Sequence, residues 1–229
     1  MTDPEPTLLL TRPEAQSKAF LISCEKAAGR RLPAIISPVM SISHTGELPD
    51  LDTYATIIFT SGNGVKTALE ITSLKGRRIA TVGQRTAELA QSAGASAISL
   101  GDDVEAFLSA VGDLADPVLL CRGTHTTGNL AERLRQTGLS VDEAVIYDQE
   151  ALPLSVAARS LLAGDRPVIA PVFSPRTASL LAGYGVFNAP VTVIAMSRNV
   201  ADAWKGPGKI VVAEKPTSEA MCELTISYF

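Results

Sequence analysis

The sequence predicts an α/β fold with parallel sheets, duplicated internally into two similar lobes. Three observations predict it. Short apolar runs alternate with helical stretches along the chain, the order expected of βα units. One unit is especially clear: Ile57-Ile58-Phe59 enters a polar turn, Thr60-Ser61-Gly62-Asn63-Gly64, and then Val65, Ala68 and Leu69 follow at helical spacing. That strand–turn–helix pattern returns at Phe173-Ser174-Pro175-Arg176.

Taken in order, residues 7–11 form a first strand centred on Leu8-Leu9-Leu10. Arg12-Pro13 ends it, and Pro13 suits the first turn of a helix reaching to 28, closed by Gly29. Residues 32–40 read as extended but are broken by Pro33 and Pro38, and 43–52 read as a polar linker. After the clear unit come a strand at 78–83, a helix at 86–93 stopped by Gly94, and a strand at 97–100. A helix at 104–111 follows Asp102 and Asp103, acids that favour a helix start. Val118-Leu119-Leu120 is a strand, followed by the polar loop Arg122-Gly123-Thr124-His125-Thr126-Thr127-Gly128, a helix at 130–136 and its stop, Gly138. Residues 141–149 are extended, 155–163 helical and 168–173 a strand; a helix at 177–182, a strand at 191–196, a short helix at 199–204, a strand at 209–213 and a helix at 218–227 complete the series.

Composition narrows the function. The chain has 229 residues, 46% hydrophobic and 19% charged, enough for a substantial core. Its 24 acids exceed its 20 bases, for a net charge of -4, which argues against bulk electrostatic binding of nucleic acid but leaves room for a local basic pocket. Cys24, Cys121 and Cys222 are odd in number, scattered and without metal-binding spacing, as suits a reducing cytosol. The N-terminus lacks the basic and apolar regions of a signal peptide, and no apolar run approaches the about 20 residues that span a bilayer. A cytoplasmic protein with no membrane contact is the expectation.

The halves overlay with a slowly drifting offset. Leu9-Leu10-Thr11-Arg12 matches Leu119-Leu120-Cys121-Arg122, 110 residues on; Phe59-Thr60-Ser61 matches Val172-Phe173-Ser174, 113 on. Thr81-Val82-Gly83 matches Ala195-Met196-Ser197, and Glu105-Ala106-Phe107 matches Glu219-Ala220-Met221, both 114 on. Four strand ends then carry small or hydroxyl residues before a helix: Thr11-Arg12, Ser61-Gly62-Asn63, Arg122-Gly123 and Ser174-Pro175-Arg176. In open α/β sheets ligands bind beyond the carboxyl ends of the strands, and free helix N–H groups, hydroxyls and arginines suit an anion there. Each taken singly also reads as an ordinary cap or a solvated arginine.

The standard chemical motifs are missing. No Gly-x-Gly-x-x-Gly follows a strand, no phosphate-binding loop ending in Gly-Lys-Ser/Thr occurs, and no Gly-x-Ser-x-Gly elbow is present. No metal constellation is evident. His125 lies in a polar loop near a strand end, and His44 in the linker.

The chain resembles the uroporphyrinogen-III synthase family. The matching stretches are Leu10-Thr11-Arg12-Pro13, Phe59-Thr60-Ser61-Gly62-Asn63-Gly64-Val65, Val82-Gly83-Gln84-Arg85-Thr86-Ala87, Val145-Ile146-Tyr147, Phe173-Ser174 and Glu214-Lys215-Pro216-Thr217. The resemblance implies two α/β domains joined by a two-stranded connector: residues 1–38 with 167–229 as a discontinuous, flavodoxin-like domain, 53–147 as the second, and 39–52 and 148–166 as connector and crossings. It implies a cofactor-free lyase that cyclises hydroxymethylbilane to uroporphyrinogen III, inverting the last ring through a spiro intermediate with loss of water. Tyr147 is the implied catalytic residue, its phenol assisting departure of the hydroxyl. Thr11, Arg12, Ser61, Gly62, Asn63, Thr86, Arg122, Gly123, Ser174, Pro175, Arg176 and Ser197 are the expected substrate contacts, because the substrate carries many carboxylates. No metal is expected, and the expected partner is hydroxymethylbilane itself, taken by a monomer in a transient handover from hydroxymethylbilane synthase. Two segments depart from the family's pattern: Ser197-Arg198-Asn199-Val200 stands where glycine and threonines are common, and Thr127 where an arginine is. The competing reading is a non-catalytic two-lobed module that binds a small anionic ligand on the same fold.

Overall fold

The computed structural model describes residues 4–125, 128–185 and 187–229. In chain order the elements are β1 (Thr7–Leu10), α1 (Glu14–Ala28), β2 (Ala34–Ile36), β3 (Met40–His44), β4 (Thr56–Phe59), α2 (Gly62–Ile71), β5 (Arg78–Val82), α3 (Gln84–Ser92), β6 (Ser96–Gly101) and α4 (Val104–Ser109). There follow β7 (Val118–Gly123), α5 (Leu130–Gln136), β8 (Val141–Ala151), α6 (Val156–Ala163), β9 (Val168–Val172), α7 (Pro175–Ala182), β10 (Val191–Ala195), α8 (Arg198–Ala203), β11 (Lys209–Val212) and α9 (Ser218–Ile226). The alternation read from the sequence is the alternation observed.

Two sheets form. The first has the order β2-β1-β9-β10-β11 and is parallel throughout. The second has the order β3-β8-β7-β4-β5-β6, parallel from β8 to β6. The chain divides into two compact units, the described residues up to 41 with 150–229, and residues 42–149. It passes between units inside β3 and inside β8, which are neighbours in the second sheet.

The duplication extends to spatial order. Aligning β1 with β7 and β9 with β4 maps β2-β1-β9-β10-β11 onto β8-β7-β4-β5-β6. In chain order the two series are circularly shifted, since the pair β1–β2 opens the first unit and its counterpart β7–β8 closes the second. Layering is duplicated too. In the first unit Leu9 faces α6, α7 and α8 through Ala158, Leu162, Ala178, Leu181 and Val200. Leu8 and Leu10 face α1 and α9 through Phe20, Cys24 and Met221. In the second, Ile57 and Phe59 face α2 and α3 through Val65, Ala68, Ala87 and Ala90, whereas Ile58 faces α4 and α5 through Phe107 and Leu134. Burial on both faces explains why the central strands read as unbroken apolar runs: every residue of β1, β4 and β9 is buried.

Two stretches differ from expectation. Residues 43–52 are not purely linker, because Met40–His44 is a strand beside β8. Met40 and Ile42 alternate with Ser41 and Ser43, and the serines hid a period that only pairing with β8 makes decisive. Within residues 148–166, expected as a crossing, the helix expected at 155–163 forms as α6 and packs into the first unit's core, its Ala158 and Leu162 joining Leu154.

Candidate active site

The centre of the second unit's site is Tyr147 on β8. Its hydroxyl lies 2.8 Å from the Ser61 hydroxyl, 86 residues earlier in the chain. Both residues are placed by local chemistry. Ser61 is the N-cap of α2: it is extended (φ -155, ψ 153) and its Oγ accepts from Gly64 N–H at 3.4 Å. Tyr147 is placed by a register shift in the β7–β8 ladder, where Arg122 pairs with Val145 but Gly123 pairs with Tyr147. Thr124 N–H then donates to the Tyr147 carbonyl at 2.9 Å.

The phenol ring occupies a slot left open by Gly123, with Gly64 at ordinary contact distance from its other edge. A Cβ at position 123 would lie 2.5 Å from Tyr147 Cε2 and 2.6 Å from Cζ, and one at position 64 would lie 3.6 Å from Cε1. Only glycine at 123 leaves room for the ring. The ring is 5% exposed and packs in the apolar cluster that contains Phe59, Val65 and Ile146. The result is a buried aromatic whose polar tip is fixed at the carboxyl edge of the sheet.

The other expected contacts of this unit sit around that edge. Gly62 and Asn63 open α2, directly after the cap. Thr86 is buried in the first turn of α3, its N–H bonded to the Gly83 carbonyl at 3.1 Å. Gly83 itself has φ +83, a value that favours glycine and turns the chain from β5 into α3. Arg122 is engaged within the protein: its Nε donates to Glu143 at 2.6 Å and its Nη1 to the Gly123 carbonyl at 3.2 Å. Its guanidinium would have to divide itself between Glu143 and a ligand. His125 Nε2 is 3.4 Å from Asp148 Oδ1, next to Tyr147 in sequence. Thr127 lies outside the described residues.

In the first unit the equivalent edge is built from caps without a tyrosine. Ser174 caps α7, accepting from Thr177 N–H at 3.1 Å, with its Oγ 2.9 Å from the Thr177 hydroxyl. Pro175 occupies the first turn, where its missing N–H is not needed. Arg176 follows it on α7. Ser197 caps α8, accepting from Val200 N–H at 3.4 Å, so the divergent Ser197-Arg198-Asn199-Val200 stretch still builds a helix start. Thr11 is fully buried at the end of β1, and its hydroxyl has no hydrogen-bond partner among the described residues. The Arg12 guanidinium stacks on Phe173, 4.0 Å from the ring centroid, and Phe20 meets Phe173 edge-on at 5.0 Å. Duplicated positions have therefore diverged: Arg12 lies on an aromatic face and Arg122 on a carboxylate.

Comparison with known proteins fits this duplicated architecture to one family. The model of the family described as uroporphyrinogen-III synthase HemD matches residues 25–223. The chain belongs to the uroporphyrinogen-III synthase family. Its structure is similar to that of uroporphyrinogen-III synthetase from Helicobacter pylori, with a TM-score of 0.66 and 18% identity over 99% of this chain and 100% of that one. It is also similar to a mutant uroporphyrinogen III synthase from the extremely thermophilic bacterium Thermus thermophilus, with a TM-score of 0.54 and 13% identity over 97% and 98% of the two chains. These likenesses show a shared fold. No curated protein sequence matches the chain significantly. The non-catalytic alternative is not favoured by the family match.

No other chemistry presents itself among the described residues. No group of three or more His, Cys, Asp or Glu is placed to hold a metal ion, and no helix is long and apolar enough to cross a membrane. The three cysteines are buried. Burial pushes the Cys121 thiol up to about 12, and burial followed by a hydrogen bond of the Cys24 thiol with Cys222 raises Cys24 further above its ordinary range. At Cys24 and Cys121 thiolate, the nucleophilic form, is therefore scarce at neutral pH. Treating the native protein with iodoacetamide at about pH 7.5 should leave activity intact; inactivation would put a cysteine into the chemistry.

Sequence reasoning found Ser61 and Tyr147 separately but not their contact, and it ranked Gly123 as an anion ligand. The signal for the slot was faint: a glycine closing a strand, with an aromatic on the strand predicted to follow.

Proposed function

We propose that the chain turns hydroxymethylbilane into uroporphyrinogen III with Tyr147 as the acid that assists departure of the hydroxyl. Family membership carries the synthase activity, and the Ser61–Tyr147 hydrogen bond at 2.8 Å carries the assignment of the acid. A phenol held within hydrogen-bond reach of a leaving hydroxyl gives it a proton as it departs, and that step leaves water, the phenolate and a protonated azafulvene. Ser61 fixes the phenol's direction. The electrophile is reactive by itself, so what remains is positioning: the chain must hold a folded polycarboxylate while the last ring is attacked at its substituted carbon, inverts and closes. Main-chain N–H groups at the starts of α2 and α7, with the hydroxyls of Ser61, Thr86, Ser174 and Ser197, are suited to that task. The proton released as the macrocycle closes restores the phenol, so no cofactor is consumed.

The same reading makes the chain a cofactor-free lyase, a cytoplasmic monomer supplied by hydroxymethylbilane synthase. Thr11, Arg12, Gly62, Asn63, Arg122, Gly123, Pro175 and Arg176 complete the proposed substrate contacts. The decisive test is to incubate the protein with freshly prepared hydroxymethylbilane and resolve the isomers formed. Isomer III is expected; isomer I alone, at the spontaneous rate, would sink the synthase reading.

A further inference from the structure

We propose that Arg85, in the first turn of α3, is the cation of a carboxylate-binding subsite that it forms with the buried hydroxyl of Thr86 and the free N–H groups of that turn. The inference rests on the synthase reading, because that reading makes the ligand a polycarboxylate. Thr86 is among the contacts assigned above; Arg85 is not.

Three observations carry it. The first is an open helix start. α3 is nine residues long and follows Gly83, which has no side chain to cap it. Ser61 and Ser174 each accept an N–H at the starts of α2 and α7, but at α3 the N–H groups of Gln84 and Arg85 donate to nothing among the described residues. Thr86 is the next residue. It is 8% exposed, and its hydroxyl has no hydrogen-bond partner among the described residues. That hydroxyl is not sealed in, as the Thr11 hydroxyl is. A buried hydroxyl without a partner is costly unless a ligand or water takes it.

The second is charge. A helix N-terminus is the positive end of the dipole and disfavours a cation. Arg85 nevertheless stands there, exposed, with no hydrogen bond or ion pair among the described residues. Neither α2 nor α3 has an acid in its first turn. Glu88, one turn along α3, accepts from Gln84 at 3.3 Å. Of the acids after β6, Asp103 accepts from Ala106 N–H at 2.8 Å, and Asp102 makes no ion pair among the described residues. The other face of this sheet is arranged the opposite way: α4 and α5 carry Glu105 and Glu132 in their first turns, Arg133 is held by Glu105, and Arg122 by Glu143. An unpaired arginine among free N–H groups, with no acid to neutralise it, is set to take an anion.

The third is position. α2 and α3 begin at the carboxyl ends of β4 and β5, which are neighbours in the second sheet. The two helices meet near their starts: a Cβ at Gly62, the first residue of α2, would lie 3.5 Å from Leu89 Cδ2. Arg85 and Leu89 are four residues apart and so share one face of α3, with Arg85 one turn nearer the strand ends. Arg85 therefore stands on the face of α3 that meets the start of α2, the helix whose cap, Ser61, is bonded to the Tyr147 hydroxyl.

The test compares arginines at the two ends of β5. Arg78 opens the strand at its amino end, exposed and with no ion pair among the described residues, so Arg78→Gln changes the net charge just as Arg85→Gln does. KM and kcat for hydroxymethylbilane would be measured for the wild type, Arg85→Gln, Arg85→Lys and Arg78→Gln. Arg85→Gln should raise KM about five-fold and leave kcat within about two-fold, the effect of losing one solvent-accessible charge-assisted contact. Arg85→Lys should regain most of that affinity, and Arg78→Gln should keep the wild-type KM. Without substrate, Arg85→Gln should unfold about 1–2 °C higher than the wild type, because it relieves the helix start of a cation; a substitution that merely harmed the fold would unfold lower. An unchanged KM in Arg85→Gln, or an equal rise in Arg78→Gln, overturns the proposal. Formation of isomer III by the wild type keeps that failure distinct from failure of the synthase reading, in which no isomer III would form at all.

Discussion

Replacing Tyr147 by phenylalanine should lower kcat by about 100-fold, the lower range of what a positioned acid contributes, with product affinity nearly unchanged. The substitution keeps the ring, so the apolar contacts with Phe59, Val65 and Ile146 survive. What is lost is the hydroxyl and its 2.8 Å bond to Ser61, and Ser61 still caps α2 through Gly64 N–H. Loss of one such bond costs about 1 kcal/mol of stability, too little to unfold the protein. A fall in kcat without loss of product binding would therefore reflect chemistry and not folding. Rapid-quench kinetics with freshly made substrate reads the step directly. Unchanged turnover would remove Tyr147 from the mechanism. Ser61→Ala provides the companion measurement: it loses the cap, at about 1 kcal/mol, and frees the phenol to rotate, so its kcat should fall less than that of Tyr147→Phe.

Gly123→Ala should be as damaging to activity and more damaging to stability. The new methyl would sit 2.5 to 2.6 Å from two carbons of a ring that cannot easily retreat, since Gly64 and Phe59 border it and the ring is 5% exposed. Either β7 and β8 separate or the ring leaves the slot, and overpacking of this kind costs about 1–3 kcal/mol. Both routes break the contact with Ser61. Thermal unfolding should move down by about 2–4 °C per kcal/mol for a chain of this size. The double variant Gly123→Ala with Tyr147→Ala relieves the clash, so it should be less destabilised than the two single losses added together, yet remain as inactive as Tyr147→Phe or more so. Additive stability losses would show that the two positions do not compete for the same space.

Much of this protein is legible locally. The unbroken apolar runs of β1, β4 and β9 announce strands buried on both faces. Ser61 and Ser174 announce helix starts, and each does cap its helix. Asp103, read as a helix-start acid, accepts from Ala106 N–H at 2.8 Å at the start of α4. These signals need only a few neighbouring residues, because periodicity, capping and turn conformation are properties of short segments. The missed strand β3 marks the limit: it pairs with β8, about 100 residues further on, and nothing within Met40–His44 specifies that partner.

The order of residues alone thus establishes the alternation of strands and helices, the caps at the strand ends and the drifting repeat that makes the two units alike. Three features needed the folded chain. One is how the repeat is shared between the sheets, β1 and β2 joining β9, β10 and β11 in one while their counterparts β7 and β8 join β4, β5 and β6 in the other. Another is the commitment of Arg122 to Glu143 while its counterpart Arg12 stacks on Phe173. The third is the meeting of Tyr147 with Ser61, across 86 residues, in a slot that exists because position 123 has no side chain. The physical reason is common to all three: these are contacts between elements far apart in the chain, fixed by the close packing of strands and helices against one another, and close packing has no expression in any one segment.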